Sequence, residues 1–495
     1  MELRDVLKDV EYAGIIGPQD VEITGISINS KKIKMGNLFL SITGFKKDGH
    51  DFAREAVQNG AAAAMVQKVL ELPKNITQIL VKDCRTEFPK ACRNFYKNPT
   101  GPLVLIGVTG TNGKTTTVFL TDSILKSAGL KTSLITTVRA FIGYDLLAFD
   151  RTTPESLDLN EFFYRSAREG IIAATMEVSS HSIDLHRIDY LDYDYFIFTN
   201  LTQDHLDYHT NMENYFEVKK RLFLKENREK YGGRGAVINI DDMYGTALAR
   251  ATDLKLLTYA IKDKSARLFA SDINNSINGI DMHLNYQPEP GGNFKFKISS
   301  KLCGFFNVYN ILASAGTGLI MDLNVKDIQD GIKTMTGVPG RFEKIEMQNN
   351  RNVIVDYAHT PDGLENVLKT ARSLLEPGGK LISVFGCGGD RDKRKRKIMG
   401  RISALLADFT IITSDNPRTE EPEMIIDMIE EGFLKSGTQK YMKIADRKDA
   451  IFHALDTAGE KDIVMIAGKG HEDYQEFADF RIHFSDQEVV RQWDR

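Results

Sequence analysis

Gly107-Val-Thr-Gly-Thr-Asn-Gly-Lys-Thr-Thr-Thr117 is the stretch that decides the fold. An apolar segment, Leu103-Val-Leu-Ile106, precedes it, and a helical pattern beginning Val118-Phe-Leu-Thr-Asp-Ser-Ile-Leu125 follows. Strand, glycine-rich turn and helix in that order make a cradle for an anion. Gly107, Gly110 and Gly113 let backbone N–H groups converge with the helix N-terminus on one point. Lys114 is then placed to reach β- and γ-phosphates, and the Thr115 hydroxyl to ligate Mg²⁺. The spacing departs from the commonest phosphate loop, with Val108 where a glycine is usual. A chance glycine-rich turn is the alternative, and Gly-Lys-Thr between a strand and a helix argues against it. Nucleotide binding is the working premise.

Outward from this loop, 495 residues are too many for one core, so several domains are expected. Two turn-rich breaks, Asn98-Pro-Thr-Gly-Pro102 and Gly337-Val-Pro-Gly340, mark the divisions. The expected architecture is α/β with three domains: a small α/β domain over residues 1–99, a central P-loop ATPase domain over 100–337, and a doubly wound, Rossmann-like domain over 338–495. In the first, Val21 to Ile28, Asn37 to Ile42 and Thr77 to Val81 read as strands and Phe52 to Val57 as helix. In the second, Ile171 to Val178 and Tyr195 to Thr199 read as strands. In the third, Val353 to Asp356, Lys380 to Phe385, Phe409 to Thr413 and Asp462 to Ala467 are short, fully apolar strands between helical segments, the mark of a buried parallel sheet. Three of these run into polar loops, Gly386-Cys-Gly-Gly-Asp-Arg391, Ser414-Asp-Asn-Pro-Arg418 and Gly468-Lys-Gly-His-Glu472. Ligands of open α/β sheets bind at strand C-terminal ends, so these loops are expected to share a pocket.

The formal net charge of −4 argues against a global affinity for nucleic acid or membrane. Cys84, Cys92, Cys303 and Cys387 have neither metal-site spacing nor the density of a disulfide scaffold, which fits a reducing cytoplasm. The opening Met1-Glu-Leu-Arg-Asp5 carries acids and no extended apolar region, so no secretory leader is expected, and no apolar run approaches the length of a membrane span. A soluble, cytoplasmic protein is expected.

Around the phosphate loop, Glu177 ends one strand in Met176-Glu-Val-Ser-Ser-His181, and Asn200-Leu-Thr-Gln-Asp-His205-Leu-Asp-Tyr-His209 follows the next. Carboxylate and imidazole at one sheet edge suit Mg²⁺ beside a triphosphate, although a capping or core histidine remains the alternative for His205. On a helix from Met212 to Leu224, Lys219 falls mid-stripe on the apolar face among Tyr215, Phe216, Leu222 and Phe223. A buried lysine is either paired with an acid or partly a neutral amine, and a neutral amine can take up CO₂ as a carbamate. A lysine snorkelling to solvent is the alternative. Ser30-Lys-Lys32 and Thr43 to His50 read alone as ordinary solvated loops.

With these motifs in place the chain resembles the Mur ligase family along nearly its whole length, and its Gly-Val-Thr-Gly-Thr-Asn-Gly-Lys-Thr matches that family's variant loop. The resemblance implies an ATP-dependent, ADP-forming ligase that adds the third amino acid, meso-diaminopimelate, to UDP-N-acetylmuramoyl-L-alanyl-D-glutamate during peptidoglycan precursor synthesis. It implies ATP contacts at Gly110, Thr111, Asn112, Gly113, Lys114, Thr115, Thr116, Asn307, Asn310, Arg341, Asp356 and His359. It implies Mg²⁺ held by Thr115, Glu177, His205 and a CO₂-derived carbamate on Lys219, with Lys114, Glu177, His205 and Lys219 as the catalytic set. The UDP-muramoyl dipeptide would contact Ser30, the loop near Gly44, Thr152, Thr153, Ser180 and Arg187. Diaminopimelate would contact Arg391, Asp415, Asn416, Pro417, Arg418, Gly468 and Glu472. Asp415-Asn-Pro-Arg418 resembles the signature for diaminopimelate, which is lysine with a second carboxylate that a guanidinium can hold bidentately. With lysine bound instead, Arg418 is expected to be left desolvated and unpaired, costing about 10²-fold or more in selectivity. A monomer is expected, with no nucleic-acid or membrane partner, and with the last domain turning about Gly337 to Gly340. L-lysine, a sulfur analogue such as lanthionine, a folylpolyglutamate-type reaction and a nucleotide-operated switch remain alternatives.

Overall fold

The computed structural model describes all residues except Phe45, Lys46, Asp150, Glu289 and Pro290. The chain packs as two compact units, Met1–Phe269 with Tyr286–Asn293 and Asn310–Gly331, and Ala270–Asn285 with Phe294–Tyr309 and Ile332–Arg495. Three α/β sheet layers run along the sequence, two of them in the first unit, in a three-domain arrangement.

The first sheet has the spatial order Tyr12–Ile16, Thr77–Val81, Ala61–Val66, Asn37–Leu40 and Gly25–Ser27. Only the outer pair containing Tyr12–Ile16 is antiparallel. Leu38, Leu40, Ala63, Met65 and Ile79 meet Phe88 and Cys92 of the helix Cys84–Phe95 in its core. Asp83 caps that helix by accepting the Arg85 N–H at 2.8 Å. Val21 to Ile28 is strand only over Gly25–Ser27. Ala61–Val66 and Tyr12–Ile16 went unforeseen, because an alanine run carries no period and the latter is half exposed on an edge.

Within the same unit the helix Cys84–Phe95 also meets the helix Ser156–Arg168, with Tyr96 against Tyr164 at 5.5 Å between ring centroids. The central sheet there runs Lys255–Ala260, Gly232–Asn239, Tyr193–Phe198, Val104–Thr109, Ala173–Glu177 and Thr132–Ile135, all parallel. The ribbon Ala140–Ile142 and Asp145–Leu147 closes one edge antiparallel. The strand leading into the phosphate loop lies in the middle, flanked by strands that come later in sequence. The loop therefore opens at a switch point of the sheet, where ligands of such folds bind.

In the second unit a six-stranded sheet has the order Glu343–Ile345, Asn352–Asp356, Ile463–Ala467, Leu381–Phe385, Phe409–Ile412 and Tyr441–Lys443. All pairs but the first are parallel, and helices cover both faces, as the apolar runs require. Ile277 and Cys303, from the strand and turn segments before this sheet, share its core with Ile354, Leu364 and Phe385. Gly340 has φ of +64°, and a Cβ there would stand 2.1 Å from the His471 backbone nitrogen. Gly340 is thus packed against the Gly470–His471 backbone within the second unit.

Candidate active site

The helix Lys114–Ser127 starts from Gly113, whose φ of +84° puts it in the left-handed region with no side-chain cap. Its first N–H groups have no intrahelical acceptor, which is the anion-binding device expected from sequence. A Cβ on Gly113 would meet Asn310 Oδ1 at 2.3 Å, and one on Gly110, where φ is +143°, would meet Thr199 Oγ1 at 2.0 Å. The loop is held from its open side by the adjoining strand end: Thr111 N donates to Asn200 O at 2.8 Å and Asn112 N to Asn200 Oδ1 at 3.0 Å. Lys114 Nζ lies over the loop, donating to Thr111 O at 2.7 Å and Gly110 O at 3.1 Å. Thr116 is buried on the same helix.

Thr115 Oγ1 donates to Glu177 Oε1 at 2.8 Å, so the loop hydroxyl and the neighbouring strand's carboxylate do come together. Glu177, 1% exposed, also accepts the Thr137 N–H at 2.9 Å. A hydroxyl and a carboxylate are the hard oxygen donors that Mg²⁺ takes when phosphate and water complete its shell. His205 caps the short helix Leu206–His209 with φ of +54°. Its pKa is lowered by burial and by the ammonium groups of Lys114 and Lys219, against Asp204, so it stands near both amines. Among the described residues no three His, Cys, Asp or Glu side chains form a metal cage.

Lys219 is 1% exposed, which removes the snorkelling alternative. The helix carrying it is Met212–Lys220, followed by a tighter turn at Arg221–Phe223. Its Nζ donates to Thr109 Oγ1 at 3.2 Å and Gly110 O at 3.1 Å beneath the loop, and has no ion pair among the described residues. Burial first, then the positive charge of Lys114, hold its pKa well below the ordinary lysine value. Of the two outcomes open to a buried lysine, the acid-paired one does not occur among the described residues.

Thr152 and Thr153 adjoin this centre: Thr137 Oγ1 donates to Thr152 Oγ1 at 3.0 Å, and Thr153 Oγ1 to Glu177 O at 3.0 Å. Arg187 Nη1 donates to Thr153 O at 3.3 Å, and Ser180 Oγ lies 2.8 Å from His209 Nε2. Ser30 keeps to the first sheet, its hydroxyl donating to Glu55 Oε2 at 2.5 Å, so it is a buried anchor rather than a solvated loop residue. In the Thr43 to His50 loop, Phe45 and Lys46 lie outside the described residues. Sequence reasoning missed Thr137, His181, His209 and Tyr215. The two histidines were visible in their motifs, but only the fold packs His181 against His205 at 5.0 Å and stacks His209 on Tyr215 at 5.0 Å.

In the second unit the three strand-end loops do converge. Asn416 Nδ2 donates to Glu472 Oε2 at 2.9 Å, and a Cβ on Gly468 would stand 2.9 Å from Asp415 Oδ2. Lys469, fully buried and unforeseen, donates to Asn416 Oδ1 at 3.0 Å and lies 3.3 Å from Glu472 and 3.7 Å from Asp415. Pro417 is buried beside them, and its carbonyl blocks any Cβ on Gly389 at 1.8 Å. Arg418 corrects the expectation of an unpaired guanidinium: Nε donates to Glu476 Oε2 and Nη1 to Gly389 O, both at 2.8 Å. Glu476 arrives on the hairpin Tyr474–Glu476 with Arg481–His483, a contact no motif spacing announces. Nη2 of Arg418 has no hydrogen-bond partner among the described residues. Arg391 is exposed on the loop that passes Arg418.

Five residues assigned by resemblance to the nucleotide separate in their local roles. Asp356 accepts the N–H groups of Phe342 and Ala358, both at 2.7 Å, while burial raises its pKa against the pull of Arg341. Arg341 lies over the Tyr357 ring at 5.2 Å, and His359 is exposed with Nδ1 2.9 Å from Tyr357 O. Asn307 donates to Cys303 O at 2.8 Å, whereas Asn310 accepts from Thr117 Oγ1 at 3.4 Å beside Gly113.

Three family models match in sequence order: Mur ligase family, catalytic domain over residues 22–106, Mur ligase middle domain over 108–318, and Mur ligase, glutamate ligase domain over 340–470. A UDP-N-acetylmuramoyl-L-alanyl-D-glutamate--2,6-diaminopimelate ligase of Caldanaerobacter subterraneus subsp. tengcongensis is 42% identical over 99% of this chain and 98% of its own length. The enzyme of the same name from Clostridium tetani is 43% identical over 99% of both chains. A solved structure, also of a UDP-N-acetylmuramoyl-L-alanyl-D-glutamate--2,6-diaminopimelate ligase, superposes with a TM-score of 0.72 at 32% identity, covering 100% of this chain and 98% of that one.

Proposed function

The chain belongs to the Mur ligase family, and from that premise we propose that it joins meso-diaminopimelate to the D-glutamyl γ-carboxylate of UDP-N-acetylmuramoyl-L-alanyl-D-glutamate, converting ATP to ADP and phosphate. Residues 1–99 are assigned to the uridine diphosphate, 100–337 to ATP and 338–495 to the amino acid, in a cytoplasmic monomer. The observation that carries the choice of amino acid is one loop cluster holding both an arginine with an open Nη2, Arg418, and a carboxylate, Glu472. Those charges complement the carboxylate and ammonium at the far end of meso-diaminopimelate.

In this reading the γ-carboxylate attacks the γ-phosphate in line to give an acyl phosphate, and the diaminopimelate amine then displaces phosphate from the acyl carbon. Lys114 and the first N–H groups of the loop helix stabilise charge on the transferring phosphoryl group. Thr115 and Glu177 would hold Mg²⁺, which offsets phosphate charge when bound, with His205 nearby. Lys219, buried and with its pKa held well below the ordinary lysine value, is suited to a carbamate that adds an anionic oxygen to this shell. Ser30, Thr152, Thr153, Ser180 and Arg187 position the UDP-muramoyl dipeptide. Asp415, Asn416 and Glu472, bound together by Lys469, fix the amine donor. No protein nucleophile takes part, so rate comes from positioning and electrostatics.

Because Glu476 and Gly389 already satisfy part of Arg418, lysine in the pocket leaves only the remaining guanidinium N–H groups unmet. A preference for meso-diaminopimelate over lysine of about 10²-fold in kcat/KM is expected. Phosphate release with the muramoyl dipeptide and each amino acid, in the parent and in Arg418→Ala, measures it. The variant should lose the preference, and equal rates with lysine in the parent would refute the assignment. Phosphate release with folate and glutamate would favour a folylpolyglutamate-type reaction instead.

A further inference from the structure

Glu155 carries three guanidinium groups. Arg187 Nε lies 3.1 Å from its Oε1, Arg151 Nη1 forms a close pair with the same oxygen, and Arg85 Nη1 stands 3.9 Å from Oε2. Arg85 comes from the first sheet domain, one residue into the helix Cys84–Phe95, and the other three come from the central domain in the same compact unit. One carboxylate cannot neutralise three cations, and among the described residues that pair here the excess is two positive charges. Asp158, one turn on, feels the charges of Glu155, Glu161 and Lys32 and forms no ion pair with these arginines among the described residues. The cluster is also poorly satisfied. Arg85 Nη1, Arg187 Nε and Glu155 Oε2 are buried with no hydrogen bond among the described residues, and the carboxylate side chain is only 10% exposed. Burial and its cationic neighbours Arg151 and Arg85 lower the Arg187 pKa in spite of Glu155. Unmet buried donors with excess charge describe a site prepared for an anion.

Its position says which anion. Arg85 Nε donates to Thr43 O at 3.4 Å, at the start of the loop near Gly44, and Arg187 donates to Thr153 O. Between a uridine-side loop and the dipeptide-side threonines, the portion of the substrate with two negative charges is its diphosphate. We propose that Arg85 is a further substrate-binding residue, which with Arg151 and Arg187 grips the diphosphate of the UDP-linked substrate while Glu155 holds the three guanidiniums in place. This rests on the ligase reading and adds the diphosphate contact to it. Guanidinium N–H groups meet phosphate oxygens in pairs, so an amine at this position keeps charge without the paired geometry.

The test compares the parent with Arg85→Gln and Arg85→Lys in the full chain, reading KM for each substrate, kcat, and inhibition by UDP and by UMP. Arg85→Gln should raise KM for the UDP-muramoyl dipeptide about tenfold or more, with Arg85→Lys intermediate and with kcat and the KM values for ATP and diaminopimelate within about twofold of the parent. UDP should inhibit the parent far better than UMP, and that gap should collapse in Arg85→Gln. A gap that survives in both variants overturns the proposal, even where KM rises, because the arginine would then act on another part of the substrate or on the fold. If Arg85→Gln does not fold, Arg85→Lys decides by the same gap. A parent without muramoyl-dipeptide-dependent phosphate release would instead overturn the ligase reading, whereas UDP inhibition can be read independently by displacement of a fluorescent uridine nucleotide.

Discussion

At Lys219 an amine sits under the phosphate loop, hydrogen-bonded to a hydroxyl and a carbonyl and lying 5.0 Å from the centre of the Tyr215 ring. Desolvation and the nearby Lys114 charge both favour the uncharged form, and the uncharged form is the one that reacts with CO₂. Protein equilibrated with ¹³C-bicarbonate should therefore show a carbamate carbonyl resonance that Lys219→Arg lacks, together with an activity loss of about 10²-fold or more in the variant. A spectrum identical in parent and variant would remove the carbamate from the site. Lys219 was legible because its neighbours at helical spacing are all apolar or aromatic. Lys469 was not, since it stands between two glycines in Gly468-Lys-Gly470, where no periodicity exists to say that it points inward. The role of Arg418 was half legible: its motif was plain, but Glu476 reaches it from 58 residues away.

Among the elements, the apolar strands of the second unit emerged within a residue or two of expectation, because a strand buried on both faces must be apolar throughout. The strand Tyr12–Ile16 and the hairpin at Tyr474–Glu476 and Arg481–His483 lie at edges, so half their residues face water and their pattern dissolves. One element contact sets the amino-acid loops in place. Arg396, on the helix Arg394–Leu406 and fully buried, donates through Nη1 and Nη2 to both oxygens of Glu420 at 2.9 and 2.8 Å, and Glu420 accepts the Asp390 N–H at 2.7 Å. The Arg396 pairing pulls the Glu420 pKa down to about 2. A carboxyl depressed on folding stabilises above its unfolded pKa and loses that contribution as pH falls through the folded one, so this pair should weaken between pH of about 4.5 and 2. Arg396→Met should cost about 3 kcal/mol at neutral pH and flatten that part of the acid limb, as read from urea midpoints across pH. An unchanged limb would mean that other carboxylates carry it.

For the whole molecule, the turn-rich breaks near residues 99 and 337 were read as domain divisions, and three family models follow one another along the chain over 22–106, 108–318 and 340–470. Composition could not tell that residues 270–285 and 294–309 belong with the second compact unit, because their strands look like any other exposed hairpin. Ile277 and Cys303 are part of its core, and Phe306 meets Phe342 edge-on at 5.6 Å. The last third of the gene is therefore not a detachable cassette. Expressed alone from residue 338, it would show a bare oily patch where those side chains belong, and should run as aggregates on gel filtration, while a fusion that supplies residues 270–309 in front of it should elute as a single species. Swapping amino-acid specificity between relatives by exchanging this segment would carry the same hidden debt: the donor's counterpart of residues 270–309 must travel with it.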